Sequence, residues 1–323
     1  MTTPPEADAR RQAYTHRLLQ DHETLLADGH RNRAFYQALE RTVTASSCVL
    51  DIGSGTGVWA IAAALLGAAR VVAVEQDPLL MGLIRALARE NGVADRVTVV
   101  PGDSRQLHLG RSFDLVVSET IGHLGFDEQI VPILLDARTR FLRPGGRLIP
   151  EAVALLAAPV HCTPAPGALP AGLPVRFDAF AALALHTPVG LAPPAHLQLL
   201  APPQTLIDVD LTRGTAPPDL SGLRAEWTLD DAGPVNGFAV WAEARLAPGV
   251  RLSTRETTSW SPVLYRLRPF EAGPAALAFT LTLSAATNAW TVAWRRGSTA
   301  PEVRAYGPAH AAAALFEHAG GMK

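Results

Sequence analysis

Between residues 48 and 150, short apolar runs alternate with longer stretches of helical length. Residues 49–52, 70–74, 97–100 and 113–118 are compact and rich in β-branched side chains, whereas 58–67, 79–91 and 128–142 are long enough for several helical turns. Apolar strands separated by helices predict a parallel sheet covered on both faces. Pro144, Gly145 and Gly146 predict a turn before a last short run at 147–149. Ahead of this region, residues 12–39 read as helices, with Leu18, Leu19, Leu25 and Leu26 set among Arg and His as on a half-buried surface.

Beyond Glu151 the helical period fades. Short alternating stretches at 153–159, 223–229, 237–246, 261–267, 275–283 and 289–295 are separated by Pro- and Gly-containing turns and predict an antiparallel sheet or barrel. Residues 163–203 are proline-rich around a more helical centre at 177–186 and predict an insertion. The expected organisation is therefore a helical segment at 1–47, an α/β domain at 48–150 and a β-rich domain at 151–323.

Composition narrows the functional classes. The 323 residues are 48% hydrophobic, enough for a sizeable core, and carry a formal charge of −2. Residues 1–150 hold 16 Lys+Arg against 17 Asp+Glu and residues 151–323 hold 12 against 13, so neither half attracts a polyanion or offers an acidic platform to a basic tail. Neither nucleic acid nor membrane is expected as a partner. Lys323 is the only lysine, which removes catalysis by a lysine amine from consideration. Cys48 and Cys162 are too few for a disulfide framework, and neither they nor His108, His123, His161, His186 and His196 show ligand spacing, so no metal is expected. Ser259 has no visible His and acid partners for a hydrolase triad. A polar stretch at residues 1–11 and the lack of a run near the roughly 20 apolar residues of a membrane helix lead to the expectation of a cytoplasmic protein.

The strongest motif is Val49-Leu50-Asp51-Ile52-Gly53-Ser54-Gly55-Thr56-Gly57, an apolar strand running into a glycine turn that opens a helix. Glycine permits positive φ and lets backbone amides approach a ligand. A glycine turn alone is weak, because several nucleotide enzymes use one. Here the glycines alternate after an aspartate, the variant that serves S-adenosylmethionine (SAM). The second strand ends in Glu75, 18 residues after Gly57, where a carboxylate can accept both ribose hydroxyls. The third leads to Asp103 and Ser104, where a carboxylate and an amide can read adenine. Three strand ends with three matching chemistries point to SAM as cofactor.

The fourth strand carries Glu119 at its end, and a loop with Gly122 and Gly125 leads to Glu128. Two carboxylates at one crevice repel unless a cation lies between them, and a planar guanidinium suits that place. On residues alone, a helix cap and a solvated face remain equally good explanations of this pair.

Glu119-Thr120-Ile121-Gly122-His123-Leu124-Gly125-Phe126-Asp127-Glu128 resembles the double-glutamate loop of the protein arginine N-methyltransferase family. His22-Glu23-Thr24-Leu25-Leu26-Ala27-Asp28-Gly29-His30-Arg31 resembles the family's helix over the cofactor, and Ser259-Trp260 its threonine-histidine-tryptophan loop. The resemblance implies a Rossmann-like SAM-dependent methyltransferase domain followed by a β-barrel-like domain. It further implies that Arg31 pairs with the carboxylate of SAM, that Asp51, Gly53, Gly55, Gly57, Glu75, Asp103 and Ser104 serve the cofactor, and that Glu119 and Glu128 clamp the acceptor. Trp260 and His123 would lie at the acceptor's approach, and segment 163–203 would be a dimerisation arm, giving a homodimer.

Departures fall on the acceptor side. Ser259 stands where the family has histidine, which is expected to cost Asp28 its imidazole partner. Thr120 stands where it has tryptophan, and the aromatic start of the first helix is reduced to Tyr14 and His16. The resemblance implies that Leu25 and Ile130 occupy positions that, in the family, limit room around the reacting nitrogen, though their shape alone does not fix the product. The expected activity is N-methylation of a guanidinium, in a protein arginine or a guanidino small molecule. The alternatives are methylation of an amine, hydroxyl or carbon, and SAM binding without turnover.

Overall fold

The computed structural model describes residues 4–110, 112–126, 128–163, 177, 180, 184–185, 187–190, 197–229, 233–284 and 289–306. Two helices, α1 (Pro4–Ala27) and α2 (Gly29–Glu40), lead into β1 (Cys48–Ile52), α3 (Val58–Leu65), β2 (Arg70–Glu75), α4 (Pro78–Glu90), β3 (Val97–Pro101), β4 (Phe113–Ser118), α5 (Ile130–Arg140) and β5 (Leu142–Ile149). The five strands form a parallel sheet in the order β3-β2-β1-β4-β5. Val49, Leu50, Val71, Ala73, Val116 and Val117 are fully or almost fully buried, as expected of strands covered on both faces. The chain leaves β1 toward one edge and returns to its other side as β4. That reversal opens a crevice beyond the carboxyl ends of β1 and β4, where the glycine turn and Glu119 begin.

The remaining chain is antiparallel. β6 (Ala152–Cys162), β7 (Val189–Gly190), β8 (Leu197–Leu199) and β9 (Gln204–Asp210) precede β10 (Leu223–Trp227), β11 (Pro234–Ala247) and β12 (Val250–Ser253). β13 (Val263–Glu271), β14 (Leu277–Ser284), β15 (Ala289–Arg296) and β16 (Glu302–Tyr306) complete the order. β11 is the spine of a curled sheet, β7-β13-β11-β6-β8, with β12 and β9 on its margins, while β10-β14-β15-β16 form a second sheet. Aromatic side chains join the two: Trp227 lies 5.9 Å from Phe238, and Phe238 4.6 Å from Phe279. The result is a Rossmann-like domain with a barrel-like antiparallel half. Among the described residues no helix is long and apolar enough to cross a membrane.

Local differences from the predicted elements have identifiable causes. Pro144, Gly145 and Gly146 do not end a strand: Phe113 pairs with Leu142 and Leu115 with Arg147, so these residues form a bulge inside β5. The helix predicted from residue 128 starts at Ile130, because Gln129 takes a left-handed conformation with φ 64°. α1 begins at Pro4, earlier than the pattern suggested, since charged residues with good helix propensity carry no apolar period. β9, β12 and β16 were not anticipated. Most of segment 163–203, including His186 and His196, lies outside the described residues, but its tail adds β7 to β13 and β8 to β6.

Candidate active site

The turn after β1 is held from below. The amides of Gly53 and Ser54 donate to the Val74 carbonyl at 3.0 and 3.1 Å, tying it to β2. Gly55 has φ +56°, and a Cβ there would meet His22 Cε1 at 2.8 Å, so a helix from the N-terminal segment lies close over the turn. Glu75, at the end of β2, accepts the Gly55 amide at 2.7 Å on one oxygen and the amides of Gln76 and Asp77 at 2.7 and 2.9 Å on the other. Backbone donors thus fix this carboxylate at the crevice. Burial lowers the His22 imidazole below its ordinary range, against the opposing pull of Glu75 and Asp21.

The junction of α1 and α2 is anchored across the molecule. Asp28 caps α2 by accepting the Arg31 amide at 3.0 Å, and its other oxygen accepts the Thr258 and Ser259 amides and the Ser259 hydroxyl. Burial pushes the Asp28 carboxyl up, but these four bonds outweigh it and hold the group below its usual range. Arg31, three residues on, is almost buried. Its guanidinium pairs with Glu119, donates to Asn32 at 2.8 Å and lies between the rings of Trp59 and Trp260, 5.5 and 5.4 Å from their centroids. Burial brings its pKa down to about 10 even with Asp28 and Glu128 nearby, so it stays cationic at neutral pH.

These elements enclose an elongated cleft made of two cavities of about 230 and 240 Å³ that share Gly53, Glu75, Thr120 and Glu128. The first is lined by His22, Arg31, Gly55, Trp59, Glu119 and Trp260. The second is lined by Gly102, Asp103, Ser104, Arg105, Gln129 and Ile133. Glu119 and Glu128 therefore face one cleft, the former nearly buried and the latter on its exposed rim.

Other candidates stand elsewhere. Asp51 and Gly57 line neither cavity. Asp51 is fully buried beneath the turn, where one oxygen accepts the Ala60 amide at 3.1 Å and the other meets no hydrogen-bond partner among the described residues. Gly57 caps α3 and leaves no room for a Cβ against Ile84, at 2.9 Å. His123 is exposed outside both cavities, against Ser261. Asp103 lines the second cavity, but Arg105 grips its carboxylate, so its oxygens are engaged before any adenine arrives. Sequence reasoning did not single out Trp59, His22 or Gln129. Trp59 reads as an ordinary core residue, His22 was legible only as part of the family-like helix, and the left-handed backbone of Gln129 has no glycine to announce it.

The fit to the cofactor rests on this chain's own features. A glycine turn open to close approach, a carboxylate held by three amides and a buried cation sit along a cleft suited to a nucleoside joined to an amino acid. Fold and site together define a SAM-dependent methyltransferase of class I. A methyltransferase-domain family matches residues 49–146. An arginine N(omega)-methyltransferase of Streptomyces achromogenes subsp. streptozoticus is 33% identical over 266 residues, 78% of this chain and 73% of that protein. A probable protein arginine N-methyltransferase 6.2 of Oryza sativa subsp. indica is 32% identical over 151 residues, 46% of this chain but only 38% of its own length. Among solved structures, a Trypanosoma brucei PRMT1 enzyme-prozyme heterotetrameric complex with AdoHcy has a TM-score of 0.76 at 18% identity, covering 88% of this chain and 98% of its own. Protein arginine methyltransferase 10 of Arabidopsis thaliana has a TM-score of 0.75 at 19% identity, covering 88% and 96%. At those identities the structures support the fold. The chain belongs to the arginine N-methyltransferase family.

Proposed function

We propose that the protein methylates a guanidinium nitrogen of a small arginine-like acceptor, with Glu119 and Glu128 as the clamp. The observation that carries this reading is that both carboxylates line the cleft that also holds Gly55, Glu75 and Arg31. In that reading Arg31 holds the carboxylate of the methionyl part, Glu75 the ribose, and the turn at 102–104 the adenine. Bound SAM supplies an electrophilic methyl group on a positively charged sulfur. Glu119 and Glu128 accept N–H bonds from two nitrogens of the acceptor, which concentrates positive charge there and leaves the third more nucleophilic. They also offer a base to the proton that the methylated nitrogen sheds. Trp59 and Trp260 keep Arg31 in place beside this pair.

Two observations favour a small acceptor over a protein tail. The relative that matches along both halves is named for arginine itself, whereas the rice protein-arginine relative matches over less than half of this chain. The chain also has no acidic half to gather a basic polypeptide. We further read the protein as a cytoplasmic homodimer assembled through segment 163–203, consistent with a sequence that holds only two cysteines. Mass spectrometry after incubation with SAM tests the acceptor. Free arginine should gain methyl groups, while arginine-containing peptides should react poorly; methylation of simple amines with no reaction of any guanidine would refute the reading.

A further inference from the structure

Gln129 has φ 64° and ψ 24° and is the only non-glycine residue with positive φ among the described residues. Its position is sensitive: it directly follows Glu128, so its backbone sets the direction from which the Glu128 side chain leaves the chain. A side chain in the left-handed region is sterically costly, and Gln129 makes no side-chain cap to the helix it precedes. The turn therefore needs outside support.

That support comes from Arg105. Its Nη1 donates to Gln129 Oε1 at 2.8 Å. Two further nitrogens engage Asp103, with Nε at 3.0 and 3.1 Å from the two oxygens and Nη2 at 2.6 Å from Oδ2. The Arg105 amide also donates to Asp103 Oδ1 at 2.9 Å, which fixes the arginine's own backbone. An isolated surface ion pair contributes little, but a planar fork held on both oxygens of one carboxylate presents its Nη1 in a defined direction. All four residues, Asp103, Arg105, Glu128 and Gln129, line one cavity.

We propose that Arg105 is a positioning residue which, by bridging Asp103 to Gln129, holds the left-handed turn that aims Glu128 at the acceptor. The contact joins the adenine end of the cleft to the acceptor clamp. This rests on the reading of Glu128 as part of that clamp.

The test uses the full chain with Arg105→Met, Arg105→Lys, Gln129→Gly and the Arg105→Met/Gln129→Gly double variant. Arg105→Met should lower kcat/KM for arginine about tenfold while the Kd for SAM, read by calorimetry, stays within about twofold. Lysine lacks the fork and should not restore activity. Glycine holds positive φ unaided, so the double variant should recover activity relative to Arg105→Met. Hydrogen exchange over residues 125–130 should quicken in Arg105→Met. Unchanged kcat/KM, a loss carried wholly by SAM affinity, or no recovery in the double variant overturns the proposal. If the unaltered protein methylates no guanidine, the functional reading fails, and unchanged exchange at 125–130 in Arg105→Met still decides separately against this one.

Discussion

Ser259 donates its hydroxyl to Asp28 at 2.6 Å, across 231 positions of sequence. The bond links a loop of the antiparallel half to the cap of α2, and Arg31 begins three residues beyond that cap. The family's imidazole is absent, and other donors take its place at Asp28: serine is short, but the loop brings its hydroxyl and two amides onto one carboxylate oxygen.

Removing that hydroxyl should matter modestly, and removing the carboxylate should matter more. Ser259→Ala leaves the amide bonds and should cost about 1 to 2 kcal/mol in thermal or denaturant unfolding. Asp28→Asn should lower both stability and SAM affinity, because the cap of α2 and the docking of Arg31 fail together. The Asp28 carboxyl is held below its ordinary value, so its contribution is present above the usual carboxylate range and is lost as pH falls through its depressed folded pKa. Acid titration of stability, compared between the protein and Asp28→Asn, checks this.

The two glutamates should separate by experiment. Glu128→Gln keeps shape on the rim of the cleft and should leave SAM affinity near normal while turnover falls by about a hundredfold. Glu119→Gln leaves the almost buried Arg31 guanidinium without its ionic partner, so it should also destabilise the fold and weaken SAM binding. Calorimetric SAM titration beside single-turnover kinetics distinguishes them.

Asp51 predicts a pH signature unrelated to turnover. Burial pushes its carboxyl up to about 7. Between the ordinary carboxylate value of about 3.9 and that raised value, the folded protein binds a proton that the unfolded chain has released. Stability should therefore decline as pH rises across this window and level off above it. Asp51→Asn should flatten that slope in unfolding curves; an unchanged slope would assign it to other groups.

The glycine turn is testable by one methyl group. Gly55→Ala meets His22 Cε1 at 2.8 Å and forces an alanine to φ +56°. SAM affinity should drop at least about tenfold, with a smaller loss in melting temperature, because the cleft roof rather than the core is displaced. A paired His22→Ala should relieve the clash but not the backbone strain, giving partial recovery of binding.

Much of the parallel half was legible because strand, turn and helix each leave a local mark. Residues 113–118 are apolar and β-branched and form β4 with those bounds. Glu75 was placed at a strand end by counting from Gly57, and its carboxylate does meet the turn. The antiparallel half was legible as strands but not as sheets. Nothing local says that β11 pairs with β6 rather than β10, since pairing partners are set by packing of distant faces. The bulge at Pro144–Gly146 escaped for the same reason, because a turn-forming triplet looks alike inside a strand and between two.

By itself the sequence determined the chemistry available: a glycine turn after an apolar strand, acids at strand ends, and two glutamates nine residues apart on one loop. Those are short-range facts, carried by backbone conformations that a few neighbouring residues can dictate. Tertiary structure decided which of them meet. It placed Asp51 under the turn rather than in the cleft, set Arg105 against Gln129, closed Trp59 and Trp260 on Arg31, and let Ser259 reach Asp28. Each of these is a contact between groups on separate elements or loops, and its geometry follows from how whole sheets and helices bury their apolar faces against one another.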